Sequence, residues 1–199
     1  MKKILASVFL PLAAVVCITG CNSPNLASQS RENGLGNAFE AHMTLDLERL
    51  NAEGTIKRFG DGEWQLQFDS PNTLSGVQMT FSQGTVTANY KGLSFSVPKS
   101  ALPVKAMTLD LIEAVDANAR LEQLSGTENN GCLEIGGTLD AGEYTLRVDE
   151  NGLPAAFEMP NNNLTIRFEE VKVITGAVES TTEMPPETTT IATETTENT

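Results

Sequence analysis

The chain has 199 residues, 26 Asp and Glu against 13 Lys and Arg, a formal net charge of −13 and one His. With its basic residues dispersed, so acidic a chain lacks the footprint of a nucleic-acid binder, and its net charge is repelled by anionic headgroups. The length suits one domain able to bury a core once both ends are set aside.

Residues 1–20 read as an export signal. Lys2 and Lys3 are followed by an apolar run from Ile4 to Val16, broken only by Pro11. The run is shorter than the ~20 residues of a membrane-spanning helix but suits the core of a secretory signal. It ends in Ile18-Thr19-Gly20-Cys21, which resembles the lipobox of bacterial lipoproteins. That resemblance implies cleavage before Cys21 and a covalent diacylglyceryl group on it, with no other cofactor. The expectation is a protein tethered to the extracytoplasmic face of the cell membrane by lipid. Each buried methylene contributes about 0.8 kcal/mol, and two or more chains hold stably. Loss of Lys2 and Lys3 leaves 11 basic residues against 26 acidic ones, a net charge of −15. Cys17 leaves with the signal and Cys21 takes the lipid, so Cys132 has no partner for an internal disulfide and reads as a half-buried structural thiol.

Residues 21–36 after the anchor are Ser-, Asn- and Gly-rich without periodicity and read as a flexible spacer. From residue 37 the pattern is that of strands. Phe39, Ala41, Met43, Leu45 and Leu47 alternate with polar residues, and Leu50, Ala52, Gly54 and Ile56 continue the period of two. Gly60-Asp61-Gly62 predicts a hairpin into Trp64, Leu66 and Phe68; Val77, Met79 and Phe81 follow, then Val86, Ala88 and Tyr90, then Leu93, Phe95 and Val97. These six strands predict an antiparallel meander.

Val104, Met107, Leu111, Ile112 and Val115 then recur at spacings of three and four, with Asp110, Glu113 and Asp116 opposite, which predicts an amphipathic helix of about three turns. Ala119 to Leu124 either extend that helix or begin a second. Strands resume at Leu133 and Ile135, then at Tyr144, Leu146 and Val148, with a hairpin at Asp149 to Gly152. Leu153 to Met159 and Leu164 to Val173 close the domain, which spans residues 37–175. Residues 176–199, a Thr/Glu/Pro-rich acidic segment, cannot offset their ordering entropy and are expected to stay disordered. The fold class is mainly β (α+β). About ten strands on one antiparallel sheet curl as twist accumulates, giving a half-barrel whose concave face is covered by one or two helices.

The order of these features carries a family resemblance. A lipobox, then Arg58, Gly60 and Gly62-Glu63-Trp64, then Phe68-Asp69-Ser70-Pro71 with Leu74 and Gly76, then Tyr90-Lys91-Gly92-Leu93-Ser94-Phe95 resembles the LolA/LolB/LppX superfamily. Within it, the chain is similar to small lipoproteins of Gram-positive anaerobes, the GerS-like ones among them. Gly142-Glu143-Tyr144-Thr145-Leu146 to Asp149-Glu150-Asn151-Gly152-Leu153-Pro154 matches the late hairpin. The resemblance covers residues 39–173. It implies a half-barrel with a hydrophobic cavity that carries acyl chains or lipoproteins, or docks envelope partners. Two departures weigh against transport between membranes: residues 22–36 supply no good helix before the first strand, and a lipid-fixed chain does not shuttle.

No catalytic set can be assembled. His42, the lone histidine, sits on the polar face of the first strand without a nucleophile or orienting group, and no hydrolase, phosphate-loop or dinucleotide motif is present. Asp149, Asn151 and Gly152 lack the spacing and closing Glu of a calcium loop, so no metal site is expected. The functional expectation rests on the apolar lining. Trp64, Phe68, Met79, Phe81, Tyr90, Phe95, Met107, Leu111 and Val115 converge on the concave side if the strand phase is right. Two outcomes stay open, a core that the helix fills completely and a cavity that admits a lipid or acyl chain.

Overall fold

The computed structural model describes residues 28–102 and 107–175. The signal, Cys21, the start of the spacer and the segment from residue 176 lie outside them, so those expectations are not addressed by the fold. Seven strands come first: β1 (Ser28–Glu32), β2 (Phe39–Leu47), β3 (Leu50–Gly60), β4 (Glu63–Ser70), β5 (Gln78–Ser82), β6 (Thr85–Tyr90) and β7 (Leu93–Pro98). Helix α1 (Met107–Ala119) follows, and then β8 (Gln123–Asn129), β9 (Cys132–Leu139), β10 (Gly142–Val148), β11 (Pro154–Met159) and β12 (Leu164–Val173). They form one antiparallel sheet of 12 strands in the order β1-β8-β9-β10-β11-β12-β2-β3-β4-β5-β6-β7. The sheet is curved and does not close, a half-barrel with a single α-helix among the described residues.

Local chemistry explains the strands. β2 alternates buried and half-buried residues along its length, the signature of a strand with one face on a core. The turns Lys91-Gly92 and Asn130-Gly131 hold both central residues at positive φ, 48° and 82° in the first and 52° and 83° in the second. Such turns match strand twist and make tight hairpins.

The topology explains the helix. β7 is one edge of the sheet, whereas β8 lies next to β1 at the other. The chain must therefore return across the hollow between them, and α1 lies on that return path. Leu111, Ala114 and Val115 are fully buried, and so nearly are Leu109 and Ile112. Asp110 and Asp116, expected on the solvent side, are each only 6% exposed. Glu113 and Ala117 keep an exposed stripe. A helix lying inside a trough is contacted on more of its circumference than one resting on a flat sheet.

The half-barrel of about ten strands is found, and β1 and β8, which pair with each other from Ser28 opposite Thr127 to Glu32 opposite Gln123, bring the count to 12 among the described residues. Two further expectations are corrected. Residues 123–129 are thus strand, not more helix, and α1 ends at Ala119. The spacer also reaches less far, since residues 28–36 belong to the fold. Arg31 donates to the carbonyls of Val148 (3.2 Å) and Asp149 (2.5 Å) and pairs with Glu128 at 2.7 Å. Asn33 donates to the carbonyls of Asn118 (2.9 Å) and Leu121 (2.6 Å), satisfying the C-terminal end of α1. Leu35 is fully buried. Polar side chains reaching distant backbone fix this segment, so it shows no hydrophobic period.

Candidate functional site

Strand register decides which side chains share a face, because residues directly opposite in an antiparallel pair point the same way. Trp64 stands opposite Phe81, Phe81 opposite Val86, and Val86 opposite Val97. One row along, Leu66 stands opposite Met79, Met79 opposite Ala88, and Ala88 opposite Phe95; Tyr90 faces Leu93. Phe68 lies two residues beyond Leu66 on the same strand face. The expected sheet residues Trp64, Phe68, Met79, Phe81, Tyr90 and Phe95 therefore do share the concave face.

They do not share an environment. Trp64, Phe68 and Phe81 are 1%, 3% and 4% exposed, and Leu111 and Val115 of α1 are fully buried among the core residues. Met79 and Ala88 are half-buried. Tyr90 is 37% exposed, Phe95 65% and Leu93 75%. The face thus runs from a sealed core at β4 to an open apolar flank at β7. Tyr90 and Phe95 were expected in an enclosed lining, but α1 does not reach over them. The side chain of Met107 and that of Val104 lie outside the described residues.

The sealed end is fastened by a buried ion pair. Arg58 Nε donates to Asp116 Oδ1 at 3.0 Å, and the other oxygen accepts from Gly62 N (2.9 Å) and Trp64 Nε1 (3.1 Å). Arg58 also donates to the carbonyls of Gly36 (3.1 Å) and Asn37 (3.3 Å) and stacks 5.7 Å from the Trp64 ring. Trp64 in turn meets Phe39 edge-on, with ring centres 5.7 Å apart. One carboxylate on α1 thereby gathers β3, the β3–β4 turn and β4. Two residues on, in the same last turn of the helix, Asn118 donates to Tyr144 Oη at 3.0 Å. Tyr144 lies flat over Gly137, where a Cβ would come within 2.4 Å of the ring.

Between α1 and the β5–β6 hairpin a cleft of about 390 Å³ remains. Phe81, Val86, Leu109 and Ile112 supply its apolar wall, and Asp61, Lys99, Glu113 and Arg120 its polar rim. That volume is at the lower end of small-molecule sites, ~300–1,000 Å³. A larger recess of about 460 Å³ lies by β9 and β10, but it is lined by Gly136, Gly137, Thr138 and Asn161 and lies away from the apolar row. Burial raises the Asp110 carboxyl above its ordinary value, Glu113 adds to this, and Lys99 opposes it.

His42 is half-buried on the convex face opposite Thr55 and Glu169, and Cys132 is half-buried at the start of β9. Among the described residues no His, Cys, Asp or Glu side chains gather in threes as metal ligands. Sequence reasoning missed Leu93 as a site residue and Asp116 as the helix clamp. The alternation Leu93, Phe95, Val97 was a signal for the first; nothing local marked the second, whose partners lie 52 and 58 positions away.

No protein-family model matches the chain, and no curated protein matches it. Solved structures of similar shape do. An uncharacterized conserved protein from Thermus thermophilus is 12% identical over 77% of this chain and 88% of its own, with a TM-score of 0.49. A DUF1329 family protein from Desulfovibrio piger is 13% identical over 71% of this chain and 88% of its own, at 0.41. A LolA superfamily protein from Nitrosomonas europaea is 8% identical over 73% and 90%, at 0.35. None of the three carries a function to this chain.

Proposed function

We propose that the protein is a non-enzymatic envelope lipoprotein, tethered through Cys21, that holds an acyl chain against the open flank of its half-barrel. One observation carries this reading: a single concave apolar face, continuous in register from Trp64 to Phe95, is covered by α1 at one end and left bare at the other. An acyl chain laid along Met79, Tyr90, Leu93 and Phe95 removes apolar surface from water on both partners, at about 25 cal/mol per Å². The adjoining cleft beside Phe81 and Ile112 accepts its end. Edge strands with bare apolar side chains are hazards that proteins avoid unless function requires them.

A second reading, closer to the GerS-like lipoproteins, is docking of an envelope protein. The free edge of β7 favours it, since its unpaired backbone groups can accept an added strand.

Native mass spectrometry of residues 28–175 tests the choice. Co-purified acyl species that are lost in Leu93→Ser with Phe95→Ser support the carrier. A protein free of lipid in both forms favours docking. Metabolic labelling with palmitate, lost in Cys21→Ala, tests the tether.

A further inference from the structure

The acids of this chain are unevenly placed. Between Asp69 and Asp110 the 40 residues from Ser70 to Leu109 contain no Asp or Glu and three lysines, Lys91, Lys99 and Lys105. At the chain's frequency of 26 acids in 199 residues, about five are expected in such a stretch. The segment carries +3, so the remaining residues carry −16. It is the segment that folds into β5, β6 and β7, the open flank of the sheet.

Two kinds of group stand out there, bare apolar side chains and lysines. Leu93, Phe95 and Tyr90 are the barest large apolar side chains of the flank. Exposed Lys91 sits in the turn of the β6–β7 hairpin, its Nζ 5.0 Å from the Tyr90 ring, and half-buried Lys99, at the rim of the cleft that Glu113 also lines, follows the other end of β7. Among the described residues neither lysine forms an ion pair. An apolar edge bracketed by cations, with a tyrosine at the boundary, matches the lipid–water interface, where aromatic rings sit at headgroup level and lysines reach the phosphates. A second copy of the strand fits poorly, because antiparallel pairing centred on Phe95 sets Lys91 opposite Lys99.

We propose that the β6–β7 edge docks on an anionic bilayer surface, with Tyr90, Leu93 and Phe95 entering the headgroup boundary and Lys91 and Lys99 meeting lipid phosphates. The rest of the molecule, strongly acidic, is repelled by the same surface, so the field both attracts one edge and orients the whole. This rests on the open flank described above but not on an acyl ligand being held there. It does give such a ligand a path from bilayer to flank that avoids water.

Hydrogen exchange of the full chain tests it, after reconstitution through its own N-terminus into vesicles of phosphatidylcholine alone or with added phosphatidylglycerol. The tether holds the protein on both, so only docking distinguishes them. Amides of residues 90–97 are expected to exchange at least about tenfold more slowly on the anionic vesicles. Lys91→Glu and Leu93→Ser, both at exposed positions, should each abolish that difference while the unfolding midpoint stays put. Equal exchange on the two vesicle types, whether fast or slow, overturns the proposal. Acyl species extracted from the same samples are scored separately: protection without them keeps the docking and removes the carrier, and the reverse result does the opposite.

Discussion

Strand β4 and strand β7 carry the same kind of side chain on the same face of one sheet, yet Trp64 is 1% exposed and Phe95 65%. The strands do not differ in pattern. They differ in whether α1 lies above them. The helix is held over β3 and β4 by Asp116, which accepts from Arg58, Gly62 and Trp64, and over β10 by Asn118. Both anchors lie in its last turn, and the helix, ~20 Å long with 13 residues, leaves the concave side chains of β7 exposed. Two polar anchors thus decide which part of an apolar trough becomes core and which part stays available.

The comparison breaks most sharply at the clamp. Asp116→Ala leaves the Arg58 guanidinium buried without its counter-charge and two N–H groups without an acceptor, and is expected to cost ~3–5 kcal/mol in chemical denaturation. A loss under about 1 kcal/mol would mean that the helix is held by its apolar contacts alone. The next effect compares the two ends directly. Leu66→Ala, at a fully buried position, should cost ~2–5 kcal/mol, whereas Phe95→Ala should stay within about 0.5 kcal/mol. Comparable losses at the two sites would show that the flank is covered in solution.

Arg31→Ala sharpens the other edge. It removes the bonds to Val148, Asp149 and Glu128, with an expected loss of ~1–3 kcal/mol and faster exchange of the β1 and β8 amides. A true spacer would show neither. The smallest effect concerns pH. Because burial raises the Asp110 carboxyl in the folded state, the unfolded chain loses that proton at lower pH. Stability therefore falls as pH rises from the ordinary carboxyl range to the folded value, and stays flat above it. Asp110→Asn should raise Tm by a few degrees at neutral pH and leave it unchanged below the ordinary carboxyl range. A lower Tm at neutral pH would contradict the burial argument.

Much of this was legible beforehand, and the exceptions share a cause. β2 to β6 and β9 to β12 each bury one face, and β7 keeps the same apolar alternation although it is bare, so a period of two exposes them without any knowledge of partners. β1 and β8 do not: Ser28–Glu32 are mostly exposed and of β8 only Leu124 is buried, so neither writes a period into the chain. The shared face of Trp64, Met79, Phe81 and Phe95 was legible because register follows from alternation and hairpin length. Its division into sealed and open ends was not legible, since Tyr90 and Trp64 look alike until the helix is placed. The acid-free stretch from Ser70 to Leu109, in contrast, was visible in the chain from the start and gained meaning only when it proved to be one contiguous flank.

What the amino-acid order determined by itself was therefore everything set by nearest neighbours: strand phase, tight turns, the helix and the charge imbalance. What only the tertiary structure decided was where a buried carboxylate finds its arginine 58 residues away, and which strands the helix leaves bare. Long-range closure is fixed by the geometry of the whole trough, and no local period encodes the width of a sheet.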